Sequence, residues 1–391
     1  MKDRKIYRLF LAVALLLMVS CNEYHAKIHT TIHEDGTCAR TVEINKVRHQ
    51  QEMEEDSLCE DSDKEDVYIP EWFDQFECHI DSATMVFDDT WQKTWSVADD
   101  TAQYAFPIKQ GIKEKDLIVT AHQNFGSVDE MCKKTPFRYN NRMYDVKGEF
   151  KKIFRWFYTE YTYTETYQNV SDMFVKPLGN YMEEDVASYW LTGTPHLTEG
   201  LTGAEAKDKL DGVESHYEKW LNENLLEDLC NLIEQHYDEI VDAPISKEEF
   251  HAKREALLNY VDENGFYLEE ENGLEELFFG FFNTKVYSDL VADGTQHGKE
   301  LEKIFNDKYL DLWAYPQKGA DYELDMPGEI INAGSGKIEN GKAVYQLSVR
   351  NFLQKDYTIS ATSRKTNYWA YIILFIVLAV AIGSFIYKKR K

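Results

Sequence analysis

Two uninterrupted apolar runs stand near the ends of the chain, at residues 9–19 and 368–387. A helix needs about 20 apolar residues to cross the hydrocarbon core of a membrane, so only the second run is long enough. Aromatic residues stand at both ends of that run, as they do where a helix meets the two membrane interfaces. We therefore predict a transmembrane helix at 367–387, followed by the basic tail 388–391.

The first run has the features of a secretory signal peptide. Four basic residues precede its short apolar core, and small residues follow it. The residues at its end, Met18, Val19, Ser20 and Cys21, resemble the lipobox of bacterial lipoproteins. That resemblance implies cleavage before Cys21 and a diacylglycerol on its thiol, whereas the alternative is an ordinary signal peptide with an incidental cysteine. We expect residues 1–21 to be a lipoprotein signal peptide and Cys21 to be the lipidation site.

The four cations after the second run predict which side of the membrane each part occupies. Lysine and arginine accumulate on the cytoplasmic side of membrane helices. The tail is therefore expected in the cytoplasm and residues 22–366 outside it, in the periplasm. A lipid sent to the outer membrane would conflict with a helix left in the inner one. We therefore expect both anchors in the bacterial cytoplasmic membrane.

Between the anchors the chain begins with strand-like patterns. Residues 26–33 and 39–44 alternate apolar and polar positions, and Asp35-Gly36 between them is a strong hairpin signal. Residues 150–167 are dense in aromatic residues and threonine, which predicts one long strand or a bent pair. These patterns assign residues 22–179 to the first part of a β-rich domain.

A helical pattern follows the first strands. Thr202 and Ser246 each stand three positions before a glutamate, the spacing of a helix capping box. Apolar residues recur at helical spacing after each of them, as far as residue 312. Residues 180–315 are therefore predicted to form an all-helical block.

Strands return after the helical block, with a hairpin signal at Asn340-Gly341 and a last strand at 356–362. Residues 316–366 are therefore expected to complete the β-rich domain, with the helical block as an insertion in it. Only a few residues separate Cys21 from the first strand and the last strand from the membrane helix. The predicted fold class is α+β, with a β-rich membrane-proximal domain, a large all-helical insertion held outward and one C-terminal transmembrane helix.

Both ends of the chain resemble a known family. The hairpin at 32–36, the turn at Met326, Pro327 and Gly328 with its following hairpin, and the single C-terminal membrane helix resemble the LppM-type bacterial envelope proteins. The chain is also similar to uncharacterised lipoproteins of Bacteroidetes. The helical block departs from the compact LppM pattern. The resemblance implies an envelope β-domain and supplies no catalytic residues.

The charge of the chain limits its partners. Residues 22–366 hold 35 basic and 68 acidic residues, a net charge of −33. Such a surface repels phosphate backbones, so we expect no nucleic-acid partner. It attracts cations and basic proteins. The expected partners are therefore the membrane, through Cys21 and the helix at 368–387, and an envelope protein whose identity the sequence does not indicate.

Five cysteines remain after Cys21, at positions 38, 59, 78, 132 and 230. An odd number leaves at least one thiol unpaired. Cys230 falls on an apolar helical face and is predicted to be a buried free thiol. The other four allow two disulfides in any of three pairings.

Several short motifs suggest catalytic or metal chemistry and fail on closer inspection. Residues 336–343 nearly match a phosphate-binding loop, but Ala343 replaces the serine or threonine that holds magnesium, and a strand follows where a helix is needed. His25, His29 and His33 would converge on a metal only on a helix. On the predicted strand the outer two are roughly 13 Å apart.

Two acidic motifs remain. Glu248 and His251 form an E-x-x-H pair with no second copy to complete a di-iron site. Asp61, Asp63, Glu65 and Asp66 lie in an acidic stretch without EF-hand spacing, although another kind of calcium loop stays open. We predict no catalytic residue, no cofactor and no metal ligand.

These observations favour a non-catalytic bacterial envelope lipoprotein, anchored in the membrane at both ends, with a structural or protein-interaction role outside the cytoplasm. One alternative is a ligand-binding or cation-binding envelope domain. The other is a hydrolase without a recognisable motif, since a catalytic triad of distant residues leaves no local signature.

Overall fold

A computed structural model describes residues 24–46, 78–80, 83–98, 102–106, 108, 117–193, 197–264, 273–313 and 319–390. The described chain is a mixed α/β protein with three sheets, many helices and one apolar helix at its C-terminal end. The predicted signal peptide, the lipidation site Cys21 and the acidic stretch 61–66 lie outside the described residues.

The strands are, in chain order, β1 (Tyr24–Ile32), β2 (Cys38–Lys46), β3 (Cys78–Ile80), β4 (Ala83–Met85), β5 (Gln92–Val97), β6 (Tyr104–Ala105), β7 (Leu117–Phe125), β8 (Phe137–Tyr139), β9 (Arg142–Tyr144), β10 (Val146–Phe154), β11 (Tyr158–Tyr167), β12 (Ala320–Asp325), β13 (Glu329–Asn332), β14 (Lys337–Glu339), β15 (Lys342–Leu347) and β16 (Tyr357–Thr366).

The helices are α1 (Val128–Lys133), α2 (Glu184–Thr192), α3 (Gly203–Leu210), α4 (Val213–Gln235), α5 (Lys247–Ala252), α6 (Arg254–Asn264), α7 (Gly273–Phe282), α8 (Val286–Leu290), α9 (Gln296–Lys308), α10 (Leu310–Trp313) and α11 (Tyr368–Arg390). Helix α11 is exposed along almost its whole length, and it is long and apolar enough to cross a membrane. It is the one described helix with that length and composition.

In the two larger sheets, which hold more residues than the third, strands that precede helices α2 to α10 pair with strands that follow them. The eight-stranded sheet has the order β14-β15-β12-β1-β2-β7-β5-β6, and β1 runs parallel to β12. The second sheet has the order β10-β11-β16-β13, and β11 pairs with β16 in antiparallel register. The third sheet has the order β3-β4-β8-β9. The first and last strands, β1 and β16, therefore belong to different sheets.

Both predicted hairpins form, because their turn residues tolerate a left-handed backbone. Gly36, with φ of 87°, closes the turn between β1 and β2. Asn340 and Gly341, with φ of 51° and 81°, join β14 to β15. This pair of positive angles is the signature of the two-residue hairpin turn. The aromatic stretch 150–167 belongs to two strands, β10 and β11, so the bent pair is the correct alternative.

Helix α4 contributes to two hydrophobic cores. Side chains from its first half, such as Tyr217 and Trp220, belong to the core that also holds the inner faces of the sheets. Side chains from its second half, such as Leu229 and Ile233, pack with α5, α6, α7 and α8 in a separate core. Among the described helices, α4 thus joins the packing of the sheets to that of the helices.

A buried ion pair lies between the two larger sheets. Arg40 on β2 and Glu165 on β11 are both fully buried, and Arg40 Nη2 lies 2.7 Å from Glu165 Oε2. The hydroxyls of Tyr163 and Tyr322 each donate to Glu165 Oε2 at 2.6 Å, and Tyr167 donates to its other oxygen at 2.9 Å. The carboxylate thus receives four short hydrogen bonds from three strands.

The other two nitrogens of the guanidinium also have hydrogen-bond partners. Arg40 Nε donates to Thr30 Oγ1 at 3.0 Å, and Nη1 donates to Thr135 Oγ1 at 3.2 Å. Burial by itself would raise the pKa of Glu165. The charge of Arg40 and the hydrogen bonds that the carboxylate accepts outweigh this effect, and they leave the pKa of Glu165 below the usual 4.5. The pair is therefore charged at neutral pH. We call Arg40, Glu165, Tyr163, Tyr167 and Tyr322 the interior network.

Removing only one partner of this ion pair should destabilise the fold. We expect Arg40→Met to lower the free energy of unfolding by about 3–5 kcal/mol, because it leaves the Glu165 charge buried without its partner. The double variant Arg40→Met/Glu165→Leu should recover part of that loss, since it leaves no unpaired charge. Urea denaturation in detergent micelles measures the free energy of unfolding of the wild type, the single variant and the double variant. Arg142→Met is the matched control, because its exposed ion pair with Asp172 should cost less than about 1 kcal/mol.

The network should also set part of the acid sensitivity. Because the pKa of Glu165 is lowered on folding, its contribution to stability is fully present above the usual value of 4.5 and is lost as pH falls through the lowered pKa. We expect the wild type to lose more stability below pH 4.5 than Arg40→Met/Glu165→Leu does. Urea denaturation at a series of pH values tests this, and parallel acid profiles for the two proteins would contradict it.

Candidate functional site

A single residue links the last strand to the apolar helix and bonds both to the sheet. Asn367 stands between β16 and α11, and its backbone N–H donates to the carbonyl of Phe157 at 2.9 Å. Its side-chain amide donates to the carbonyl of Arg155 at 2.8 Å, and its Oδ1 accepts from Thr159 Oγ1 at 3.1 Å. These bonds fasten the start of α11 to the turn between β10 and β11.

Aromatic side chains surround this attachment point. Phe154 and Trp156, beside the turn, are 58% and 53% exposed. The ring of Trp369 stacks on Phe154 at 6.1 Å and meets Trp156 edge-on at 5.2 Å, and Tyr371 lies 5.0 Å from Phe157. Exposed aromatic residues of this kind concentrate where proteins meet the membrane interface. We call these five residues the aromatic collar.

The turn between β1 and β2 lies at the same end of the molecule as the collar. Glu34 in that turn forms an ion pair with Lys365, close to the start of α11. Lys152 also donates to the carbonyl of Glu34 at 3.0 Å, and Tyr161 donates to its carboxylate at 3.4 Å. Because β1 ends at this turn, Tyr24 at its beginning lies at the opposite end, about 26 Å away along the strand.

The three early histidines do not converge. His25 and His29 lie on β1, and each faces an acidic residue of β12: Asp321 at 2.9 Å and Glu323 at 3.4 Å. His33 is in the turn that follows β1. The prediction that these residues share no metal is consistent with these positions.

The other rejected motifs are equally explained by local structure. The stretch that nearly matches a phosphate-binding loop is the β14–β15 hairpin. His251 of the E-x-x-H pair is exposed and contacts Glu234 on α4 at 3.0 Å.

Ser246 caps α5, because its side chain accepts a hydrogen bond from the backbone N–H of Glu249. The capping box at Thr202 and Glu205 is complete.

The described cysteines are all buried free thiols. This confirms the prediction for Cys230 and shows that Cys38, Cys78 and Cys132 form no disulfide with one another. Burial raises the pKa of Cys38, Cys78 and Cys230 to about 12, and burial also raises that of Cys132. None of these four thiols is a thiolate at neutral pH, so none is suited to act as a nucleophile.

One group of potential metal ligands in the described part of the chain was missed from the sequence. His236, which follows α4, lies beside His297 and Glu300 at the start of α9. The two imidazole rings are 3.8 Å apart, centroid to centroid. The available signal was a repeated H-x-x-E spacing, at His236 with Glu239 and at His297 with Glu300. Both differ in order from the E-x-x-H pair at Glu248 and His251. We call His236, Glu239, His297 and Glu300 the histidine cluster.

No protein-family model matches the chain, and comparisons with curated proteins and with solved structures also return no match. The resemblance of the chain ends to LppM-type envelope proteins gains no support from these comparisons.

The attachment of α11 can be tested by removing the side chain of Asn367. Asn367→Ala loses the side-chain hydrogen bonds with Arg155 and Thr159 and keeps only the backbone bond to Phe157, so we expect trypsin to cleave after Lys365 several-fold faster in protein held in lipid nanodiscs. Mass spectrometry of the fragments over time measures the rate. Asn222→Ala on α4 is the control and should leave that rate unchanged. Equal cleavage rates in the wild type and Asn367→Ala would contradict a fastened junction.

Proposed function

We propose that the chain is a non-catalytic bacterial envelope lipoprotein, held in the cytoplasmic membrane by a lipid on Cys21 and by α11, with a structural or protein-interaction role in the periplasm. The attachment of α11 is the observation that supports this best. A helix of membrane-spanning length continues directly from a sheet strand, and exposed aromatic side chains surround its start. Such a junction suits a folded domain standing on a membrane better than a flexible tether.

The course of the chain supports a membrane-proximal β-domain with the helices held away from the collar. Helices α2 to α10 follow the end of β11 and precede the start of β12. Both of these strand ends are remote from the collar, because β11 begins beside the collar and β12 runs parallel to β1, which ends at the turn near the collar. In this proposal residues 180–315 are an insertion in a β-rich domain built from residues 22–179 and 316–366.

The thiols give no support to a cysteine hydrolase, since the four described cysteines are buried and protonated at neutral pH. An interaction role is better supported. Val241 and Phe279, in the helical part, are apolar and 78% and 51% exposed. Exposed apolar side chains of this kind are available to a protein partner.

The lipid anchor is tested by metabolic labelling in bacteria with a clickable fatty acid. We expect Cys21→Ser to abolish incorporation, because the thiol is the proposed acceptor, while α11 keeps the protein in the membrane fraction. Cys230→Ser is the matched control and should keep the label. Label retained in Cys21→Ser, or recovery of the wild type in the outer-membrane fraction, would contradict the double anchor in the cytoplasmic membrane.

The interaction role is tested in intact cells with a photo-crosslinking amino acid at Val241 or Phe279. We expect a recurrent envelope protein in the adducts from these positions. The same amino acid at Ile376, in the middle of α11, is the control and should crosslink to lipid. Adducts from all three positions that contain lipid alone would contradict a protein partner.

A further inference from the structure

We propose that His236, His297 and Glu300 bind one divalent transition-metal ion, represented by Zn²⁺, and that Glu239 holds both imidazoles in position for it. The inference is independent of the proposed anchoring role. It depends on which ring nitrogens are already occupied, how the free ones are arranged and how deeply one of them is buried.

The four side chains come from two segments that meet at one end of the helices. His236 follows α4, and Glu239 ends the short 3-10 turn after it. His297 and Glu300 lie in the first turn of α9, three positions apart and therefore on one side of that helix. Each segment contributes one histidine and one glutamate.

Glu239 contacts one nitrogen of each ring. Its Oε1 lies 2.9 Å from His236 Nδ1, and its Oε2 lies 3.0 Å from His297 Nε2. A carboxylate only accepts hydrogen bonds, so both of these ring nitrogens must bear the proton. This is the arrangement in which a second carboxylate orients metal-binding histidines through their outer nitrogens.

The remaining ring nitrogens, which then carry lone pairs, lie close to the same carboxylate oxygen. His236 Nε2 and His297 Nδ1 each lie 3.7 Å from Glu300 Oε2, and the three atoms are within 4.8 Å of one another. A distance of 3.7 Å is too long for a hydrogen bond, so protons on these nitrogens would not satisfy the carboxylate. Three acceptor atoms facing one another without a cation between them repel, and a metal ion removes that repulsion.

The burial of His297 supplies a second, independent observation. The residue is 7% exposed, and its Nδ1 has no hydrogen-bond partner. A buried polar atom without a partner costs free energy, and such atoms in a native structure call for an explanation. A metal bound to Nδ1 gives this atom its partner. Glu300 and Glu239 are partly exposed at 44% and 58% of their side chains, so an ion can reach the site from solvent.

The donor set indicates the class of metal. Two imidazoles and one carboxylate suit zinc and other late first-row divalent ions, whereas Ca²⁺ and Mg²⁺ prefer sites made of oxygen. In a tetrahedral zinc site with bonds of about 2.0–2.1 Å, ligand atoms lie about 3.4 Å apart. The two observed 3.7 Å separations from Glu300 need to close by only a few tenths of an ångström, and the two rings need to move apart from their 3.8 Å centroid spacing so that both lone pairs point at the ion. Three protein ligands leave a fourth position for water or an external donor.

The test uses the full chain in lipid nanodiscs, purified without a polyhistidine tag and stripped of metal with a chelator. We expect calorimetric titration with Zn²⁺ to show one ion bound per chain. Co²⁺ should give the strong visible absorption of a four-coordinate site. Zn²⁺ should raise the unfolding temperature, whereas Ca²⁺ at millimolar concentration should not raise it.

Variants assign the ion to these residues. Glu300→Gln and His236→Gln should each weaken Zn²⁺ binding at least tenfold, and Glu239→Gln, which loosens both rings, should weaken it by about 10–100-fold. His251→Gln is the matched control, because that exposed histidine lies on α5 and belongs to the E-x-x-H pair. It should bind Zn²⁺ as the wild type does. Circular dichroism of each metal-free variant confirms that it is folded.

Three results would overturn the proposal. The first is a wild-type chain that shows no saturable Zn²⁺ binding. The second is undiminished binding in folded Glu300→Gln and His236→Gln. The third is binding lost in His251→Gln but kept in Glu300→Gln, which would move the ion to the E-x-x-H pair. The comparison of these variants does not depend on where the chain is anchored.

Discussion

The interior network is the constraint on which the stacking of the two larger sheets depends. Arg40 belongs to one sheet and Glu165 to the other, and neither side chain has access to water. A buried charge must keep its partner, so the sheets cannot slide past one another without separating the pair. The tyrosine hydroxyls around Glu165 restrict the alignment further, because hydrogen bonds form only over a limited range of angles. Apolar packing alone would allow several neighbouring alignments, whereas the network satisfies its hydrogen bonds in one.

The same network fixes the register of β11. Its inward positions are Tyr161, Tyr163, Glu165 and Tyr167, and the alternate positions include Thr162. Because side chains alternate across a strand, a slip of one residue would move Glu165 to the outer face and bury threonines instead. The register of β11 then determines that of its neighbour β16, from which α11 continues. A charge pair in the interior thus helps to position the membrane helix.

The structural features that could be predicted from the sequence are those that depend only on residues close together in the chain. The hairpins at Gly36 and Asn340-Gly341 were predictable because their turns need residues that accept a positive φ. The interior network was not, because Arg40 and Glu165 occupy ordinary polar positions in alternating strands, and their burial results from the packing of two sheets. The parallel pairing of β1 with β12 joins distant parts of the chain, and no local pattern indicates it.

The histidine cluster likewise combines a spacing that is visible in the sequence with a contact that depends on tertiary packing. The H-x-x-E spacing places a histidine and a glutamate on one side of a helical turn, and it is visible at His236 and at His297. Nothing near either motif indicates that the two turns meet, because their contact depends on how α4 and α9 pack. The expectation that residues 25, 29 and 33 do not converge needed only the geometry of one strand.

The position of the start of β1 has a consequence for how the molecule sits on a membrane. Tyr24 lies about 26 Å from the collar end of β1, while the three residues from Cys21 to Tyr24 can span at most about 10 Å. A lipid on Cys21 and helix α11 therefore cannot enter one bilayer side by side beneath an upright β1. Double anchoring would instead lay this strand along the bilayer surface. Two separated attachment points also prevent the ectodomain from swivelling about α11, so the same side would always face the periplasm.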